Sequence, residues 1–175
     1  MHTILYAVIG FFVAANVAVE YRNRRLFPPF RDDLSEYLAD VPWFWLQDAG
    51  YFALAFALPA IGFTLGGLWV EILFSVACVA LVFVVLTKLV IHYGGVGPFV
   101  AGEMETAHLV SAGVAFGAIT VALLIHSWLR PNITFVASLL APLSAAAFNR
   151  LAPQRTAIEE KTYTLCLLIA ILAAL

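Results

Sequence analysis

The chain has 175 residues and a net charge of −2, and 63% of its residues are hydrophobic while only 11% are charged. Soluble domains carry roughly 25% charged residues, so a soluble fold of this length could not cover so much apolar surface. The small net charge gives no reason to expect nucleic acid as a partner. Because the apolar runs are continuous rather than alternating, they predict helices that have membrane lipid as their solvent.

Six apolar runs predict an all-α, polytopic membrane protein that forms one transmembrane domain over residues 1–175. The predicted spans cover residues 3–19, 50–65, 68–91, 106–128, 133–148 and 157–175. No Lys or Arg precedes the first run, which predicts a retained span rather than a cleaved signal peptide. Pro59 and Pro142 fall inside spans and predict kinks. Asn16, inside the first span, is predicted to bond a neighbouring helix.

The longest polar interval lies between the first two spans, at residues 20–48, and holds ten of the twenty charged residues. Within it, Asp33 and Glu36 have the spacing of a capping box. Apolar residues then recur on one helical face up to position 41. This pattern predicts a short helix over residues 32–41 that lies in the plane of the membrane interface.

The distribution of basic residues predicts the orientation. Eight lie in or beside the loops after spans one, three and five, namely Arg22, Arg24, Arg25, Arg31, Lys88, Arg150, Arg155 and Lys161. Only Arg130 lies on the opposite side. By the positive-inside rule both termini are therefore outside and residues 20–48 are cytoplasmic. The tryptophans agree as interface anchors, with Trp43 and Trp45 at the inner side and Trp69 and Trp128 at the outer side.

A cluster of acidic and histidine side chains is the best candidate for chemistry. Its members are Asp48, His92, Glu103, Glu105 and His108. Glu105 and His108 are three residues apart and share a helix face. Together with His92 and Asp48 they supply the donors of a zinc-type site if their helix ends meet. A haem between His92 and His108 is another alternative; the favoured interpretation is a polar cluster that satisfies helix ends, with no cofactor expected.

Two stretches resemble a prokaryotic six-helix membrane family known only as a domain of unknown function, itself distantly similar to the eukaryotic DRAM and Sfk membrane proteins. The first is LFPPFRDDLSEYLADVPWFWLQDAGYFALA, through Leu34, Ser35, Tyr37, Leu38 and Trp45. The second is VGPFVAGEMETAHLVSAGVAF, through Gly97, Phe99 and His108. The resemblance implies six helices and a role for Ser35 and His108, and it implies no reaction.

Three functions follow from these observations as hypotheses. The favoured one is a non-catalytic accessory or scaffold subunit that packs with other membrane proteins or with copies of itself, because no catalytic motif is present and essentially no ionisable residue lies at mid-membrane depth. Lys88 is expected to extend to the interface. The alternatives are a metal-dependent, lipid-handling membrane enzyme that uses the cluster above, and a transporter of small solutes or lipids.

Overall fold

A computed structural model of the chain describes residues 2–23, 43–94, 98–128, 132–151 and 156–175. All regular structure in these ranges is α-helical. The six helices are α1 (His2–Asn23), α2 (Phe44–Leu65), α3 (Leu68–Tyr93), α4 (Pro98–Ser127), α5 (Ile133–Leu151) and α6 (Thr156–Ala174). The predicted interfacial helix over residues 32–41 lies outside the described residues and stays a prediction.

Four helices, α1 to α4, are long and apolar enough to cross a membrane, which indicates an integral membrane protein. The apolar part of α5, Ile133–Ala147, is shorter. At 1.5 Å per residue it is about 22 Å long, against a hydrocarbon core of about 30 Å. The early turns of α6 carry Glu159, Glu160 and Lys161, so its uncharged part begins only after them.

Two helices begin earlier than the sequence predicts. α2 starts at Phe44 rather than at residue 50, and α4 starts at Pro98 rather than at residue 106. Proline suits the first turn of a helix because its missing N–H would have no intrahelical partner there. The early starts place Asp48 and Glu103 on helices instead of in loops, and they put Glu105 about two turns inside α4 rather than at its start. This change decides which polar side chains can meet.

Consecutive helices pack as antiparallel neighbours. α1 and α2 meet through the rings of Phe12 and Tyr51, whose centroids are 5.0 Å apart, and one turn later through Asn16 and Gln47. The contacts advance along α1 as they retreat along α2, so the two helices run in opposite directions. α1, α3 and α5 therefore end where α2, α4 and α6 begin, and we call this the charged end of the bundle.

The link between α2 and α3 is only Gly66 and Gly67, and both have positive φ angles, 74° and 98°. Such angles suit glycine because it has no Cβ. The two helices also approach closely one turn away from the link, because a Cβ added to Gly62 would lie 2.9 Å from the Cβ of Phe74. The core of the bundle is apolar, and its largest fully buried side chains include Leu58, Ile61, Phe74, Leu81, Leu123 and Ile171.

Candidate functional site

A chain of hydrogen bonds crosses three helices near the charged end. In α1, the Asn16 side chain donates to the carbonyl of Phe12 over 2.8 Å. Gln47 of α2 donates to Asn16 Oδ1 over 3.2 Å. Lys88 of α3 donates to Gln47 Oε1 over 3.2 Å and to Asp48 Oδ1 over 2.9 Å. The predicted bond from Asn16 to a neighbouring helix is thereby confirmed.

The strongest interaction in this series of hydrogen bonds is the ion pair between Lys88 and Asp48. Both side chains are only 8% exposed. Asp48 lies about 6 Å along α2 from its first residue, and Lys88 about 8 Å from the last residue of α3, at 1.5 Å per residue. Removing two charges from water is costly, so each needs the other in this environment.

One carboxylate oxygen of this pair has no hydrogen-bond donor among the described residues. Asp48 Oδ2 is buried and has no hydrogen-bond partner among the residues that the structure describes. Buried carboxylate oxygens are normally satisfied by protein groups or by ordered water. Within the described residues, Oδ2 is therefore an unsatisfied acceptor of the ion pair.

His108 of α4 lies beside Thr87, the residue of α3 that directly precedes Lys88. Its Nδ1 is 3.0 Å from the carbonyl oxygen of Val84 and 3.3 Å from the hydroxyl of Thr87. A carbonyl can only accept, so Nδ1 carries the hydrogen and donates it. Nε2 of the neutral ring is then left as an acceptor.

These contacts define one site, which we call the polar layer: Asn16, Gln47, Asp48, Thr87, Lys88 and His108. Thr87, which His108 contacts, directly precedes Lys88 in α3. The polar layer therefore joins four helices, α1 to α4, at a depth of about 6 to 15 Å from the charged end. Chemically it supplies a carboxylate, an ammonium group and an imidazole in apolar surroundings.

A second ion pair lies nearer to the charged end. Lys161 of α6 is 3.2 Å from Glu20 of α1, and both side chains are partly buried. α6 therefore approaches α1 through charged groups at this end.

The predicted cluster is brought together only in part. Asp48 and His108 both belong to the polar layer, but Glu103 and Glu105 are exposed on α4. The side chain of His92 lies outside the described residues. Among the described residues, no group of three or more His, Cys, Asp or Glu could hold a metal ion. A zinc or haem site that depends on His92, and with it the lipid-handling enzyme, stays a prediction.

Most serines are engaged with their own helices. Ser75, Ser127 and Ser138 donate to the carbonyl four residues earlier, and Ser144 donates to the carbonyl three residues earlier. Such bonds satisfy a hydroxyl in apolar surroundings and do not activate it. The geometry of these four residues offers no nucleophile beside a base. Ser35, to which the resemblance gives a role, lies outside the described residues.

The expectation for Lys88 was wrong, because its side chain pairs with Asp48 rather than extending to the interface. The reason is the early start of α2, which carries Asp48 one turn into the helix and opposite α3. Gln47 and Tyr51 were also missed. The available signal was that Gln47 and Asp48 directly precede an apolar run, so a helix that begins slightly earlier would contain both.

The four tryptophans lie at helix ends, as interface anchors would. Trp43 directly precedes α2, Trp45 and Trp69 lie in the first turns of α2 and α3, and Trp128 directly follows α4. All four are about half to two thirds exposed. Their position relative to lipid stays a prediction.

Comparison with known protein families, with curated proteins and with solved structures found no match for this chain. The resemblance to the six-helix membrane family therefore stays a prediction. The class that the fold supports is a helical integral membrane protein.

Proposed function

We propose that this chain is a non-catalytic accessory or scaffold subunit that packs against another membrane protein or against a second copy of itself. The observation that carries the proposal is an open glycine face on α4. Gly113 and Gly117 are four residues apart on one side of the helix, and a Cβ added to either would meet nothing within 4 Å among the described residues. Paired small residues of this kind let two membrane helices approach closely.

Two other glycines inside helices, Gly50 and Gly62, lie at close contacts between helices of this chain, whereas Gly10 and Gly102 are open. Gly62 admits Phe74 of α3, and Gly50 admits Ala15 of α1, with added Cβ atoms only 2.9 and 3.2 Å away. These two glycines are used at contacts inside the chain. Gly113 and Gly117 lie at no such contact among the described residues, although their four-residue spacing favours close approach of another helix. A helix from outside the chain would complete the pattern.

The residues around the two glycines suit such a contact. Val110, Val114 and Val121 flank them on α4 and are 60%, 46% and 47% exposed. A small-residue groove with branched apolar walls favours van der Waals packing, which is the main attraction between helices in lipid. The polar layer fits a supporting role, since its charges pair with each other and hold α1 to α4 together.

The test is the mass of the protein after gentle extraction from its own membrane. We expect a stoichiometric complex larger than the 19.0 kDa chain in its detergent micelle. Replacing both glycines, Gly113→Leu with Gly117→Leu, should release the monomer, because the added side chains keep the partner helix away. A wild-type protein that is already a stable monomer would contradict the proposal.

The matched control is Gly10→Leu on α1. Gly10 is also open, with nothing within 4 Å of an added Cβ, but its face has a single glycine, with Ala14 four residues on in place of a second one. This variant adds the same bulk to a different exposed face and should leave the complex intact. If it dissociates the complex as well, the effect is not specific to α4.

We also propose the finer membrane arrangement: six spans, both termini outside, residues 20–48 in the cytoplasm and an interfacial helix over residues 32–41. It is supported by the basic residues, which crowd the loops at the charged end, and by the order of the six helices. The short apolar parts of α5 and α6 are accommodated by local thinning of the bilayer or by packing against neighbours.

Transport of a small solute is a second candidate, favoured by the buried pair of Lys88 and Asp48. Ionisable residues inside membrane helices often mark the path of a substrate. Proteoliposomes should then swell in isosmotic urea or glycerol. Lys88→Met should abolish the swelling while His108→Ala leaves it unchanged. Equal swelling of wild-type proteoliposomes and of empty liposomes would exclude this role for these solutes.

A further inference from the structure

The six helices form two groups that are held together differently. α1 to α4 are joined by the polar layer, and backbones in this group approach closely at Gly50 and Gly62. α5 and α6 pack closely on each other. Among the described residues, however, their backbones make at most isolated close contacts with α1, α2 or α3. Groups of helices that are packed less closely against each other than within themselves can slide or rotate as units.

The α5–α6 hairpin is attached to the first group at α4. At the end of the bundle opposite the charged end, the rings of Trp128 and Phe135 pack edge to face, with centroids 6.1 Å apart. Further along α4, the hydroxyls of Thr120 and Tyr163 are 2.7 Å apart, and the ring of Tyr163 packs against Phe116. These side chains supply an attachment against which the hairpin can rotate.

The contact of the hairpin with α1, the first helix of the other group, is of a different kind. It is the ion pair of Lys161 and Glu20, whose side chains are about one fifth exposed. Ion pairs that keep access to solvent add little net stability and can exchange their partners for water. Glu20 lies one turn along α1 from Asn16 and on the same side of the helix. The pair therefore joins α1 to α6 directly beside the polar layer.

We propose that the α5–α6 hairpin moves as a unit against α4, and that the ion pair of Glu20 and Lys161 is the latch that holds α6 against α1. When the latch opens, Lys161 withdraws from α1, and water reaches the polar layer from the charged end. Two states that differ by a few weak contacts are close in free energy, so the open state is a populated minor state. The inference does not depend on the subunit role, because the glycine face of α4 takes no part in the latch.

Distances between two spin labels in lipid nanodiscs test the proposal. The labels replace Val17 of α1 and Leu165 of α6, which are 60% and 58% exposed. The full-length chain carries Cys78→Ala and Cys166→Ala, so that no native thiol is labelled. We expect Glu20→Lys, which opposes two ammonium groups, to add a second and longer distance. An unchanged distribution of distances in this variant would overturn the proposal.

Exchange of the two charges distinguishes a latch from general damage. Glu20→Lys combined with Lys161→Glu restores an ion pair of opposite polarity and should recover the wild-type distance. Glu103→Lys, at an exposed acid of α4, is the matched control and should leave the distance unchanged. If Glu20→Lys does not fold, Glu20→Gln removes the pair without adding a charge and should shift the distances in the same direction. A long distance that persists after the exchange would contradict the latch.

A second pair of labels shows which group moves. Val17 of α1 and Val79 of α3 both belong to the first group and are exposed. The distance between labels at these two positions should be the same in the wild type and in Glu20→Lys. If it changes as much as the distance between α1 and α6, α1 has left its own group, and movement of the hairpin as a unit is excluded.

Discussion

At the residue scale, the ion pair of Lys88 and Asp48 adds little net stability to the fold, but the loss of either partner is strongly destabilising. Buried pairs gain little net stability, because desolvation cancels most of the attraction between the charges. Removal of one partner leaves the other charge alone in apolar surroundings. The pair therefore fixes how α2 and α3 are aligned, and Gln47 and Asn16 extend that alignment to α1.

We predict a non-additive double-mutant cycle for this pair. Lys88→Met alone should cost about 3 to 5 kcal/mol, because it leaves the carboxylate of Asp48 without its partner. Lys88→Met combined with Asp48→Leu should recover much of that loss. The measurement is unfolding in one detergent, with Glu103→Gln as the exposed control. A single variant as stable as the control would show that the pair does not form.

His108 gives a prediction about the metal hypothesis. Its bond to the carbonyl of Val84 connects α4 to α3, so His108→Ala should cost about 0.5 to 1.5 kcal/mol and loosen that contact. The metal content of the purified protein should not change. Stoichiometric zinc or iron in the wild type that is lost in this variant would instead restore the metal-site hypothesis.

At the scale of helices, the α2–α3 hairpin depends on close backbone approach. A Cβ on Gly62 would lie 2.9 Å from Phe74 Cβ and 3.1 Å from Glu71 Cα. Neither atom lies at the flexible end of a side chain, so the helices themselves would have to separate. A Cβ added to Gly113 of α4 would meet nothing within 4 Å among the described residues.

We therefore predict opposite effects for two glycine substitutions. Gly62→Ala should destabilise the monomer in detergent by about 1 to 3 kcal/mol through overpacking. Gly113→Ala should be neutral or stabilising by up to about 1 kcal/mol, because alanine favours a helix. Thermal unfolding of the two variants side by side provides the comparison. Equal losses would mean that α4 is packed within the chain.

The helices themselves could be predicted from the sequence because each is a continuous apolar run, and the spans over α3 and α5 were placed within a few residues. The starts of α2 and α4 are not predicted correctly, because the acidic side chains of Asp48 and Glu103 suggest loops when the sequence shows no partner for their charges. The partner of Asp48 lies 40 residues away on another helix. Such pairing depends on how helices are aligned, which the local pattern does not contain, so Asn16 was anticipated and the ion pair was not.

At the scale of the whole molecule, α5 is the decisive element for the proposed topology. Asn132 directly precedes it and Arg150 lies in its last turn, and both are exposed. If α5 spans the membrane, the two positions face opposite sides. If it does not, the number of spans becomes odd and the two termini lie on opposite sides.

We predict that a membrane-impermeant thiol reagent labels Asn132→Cys in intact cells and Arg150→Cys only after the membrane is opened. The background should carry Cys78→Ala and Cys166→Ala, which remove the two free native thiols. Labelling of both positions from the same side would show that α5 does not cross. Labelling in the reverse order would invert the proposed orientation.

The subunit role is tested most directly by photo-crosslinking in the intact native membrane. A photoreactive amino acid placed at Gly117 of α4 should yield a protein adduct of one defined mass, which also distinguishes a second copy of this chain from another subunit. The same probe at Val79, an exposed position of α3, should react with lipid alone. Lipid adducts alone at both positions would contradict the account.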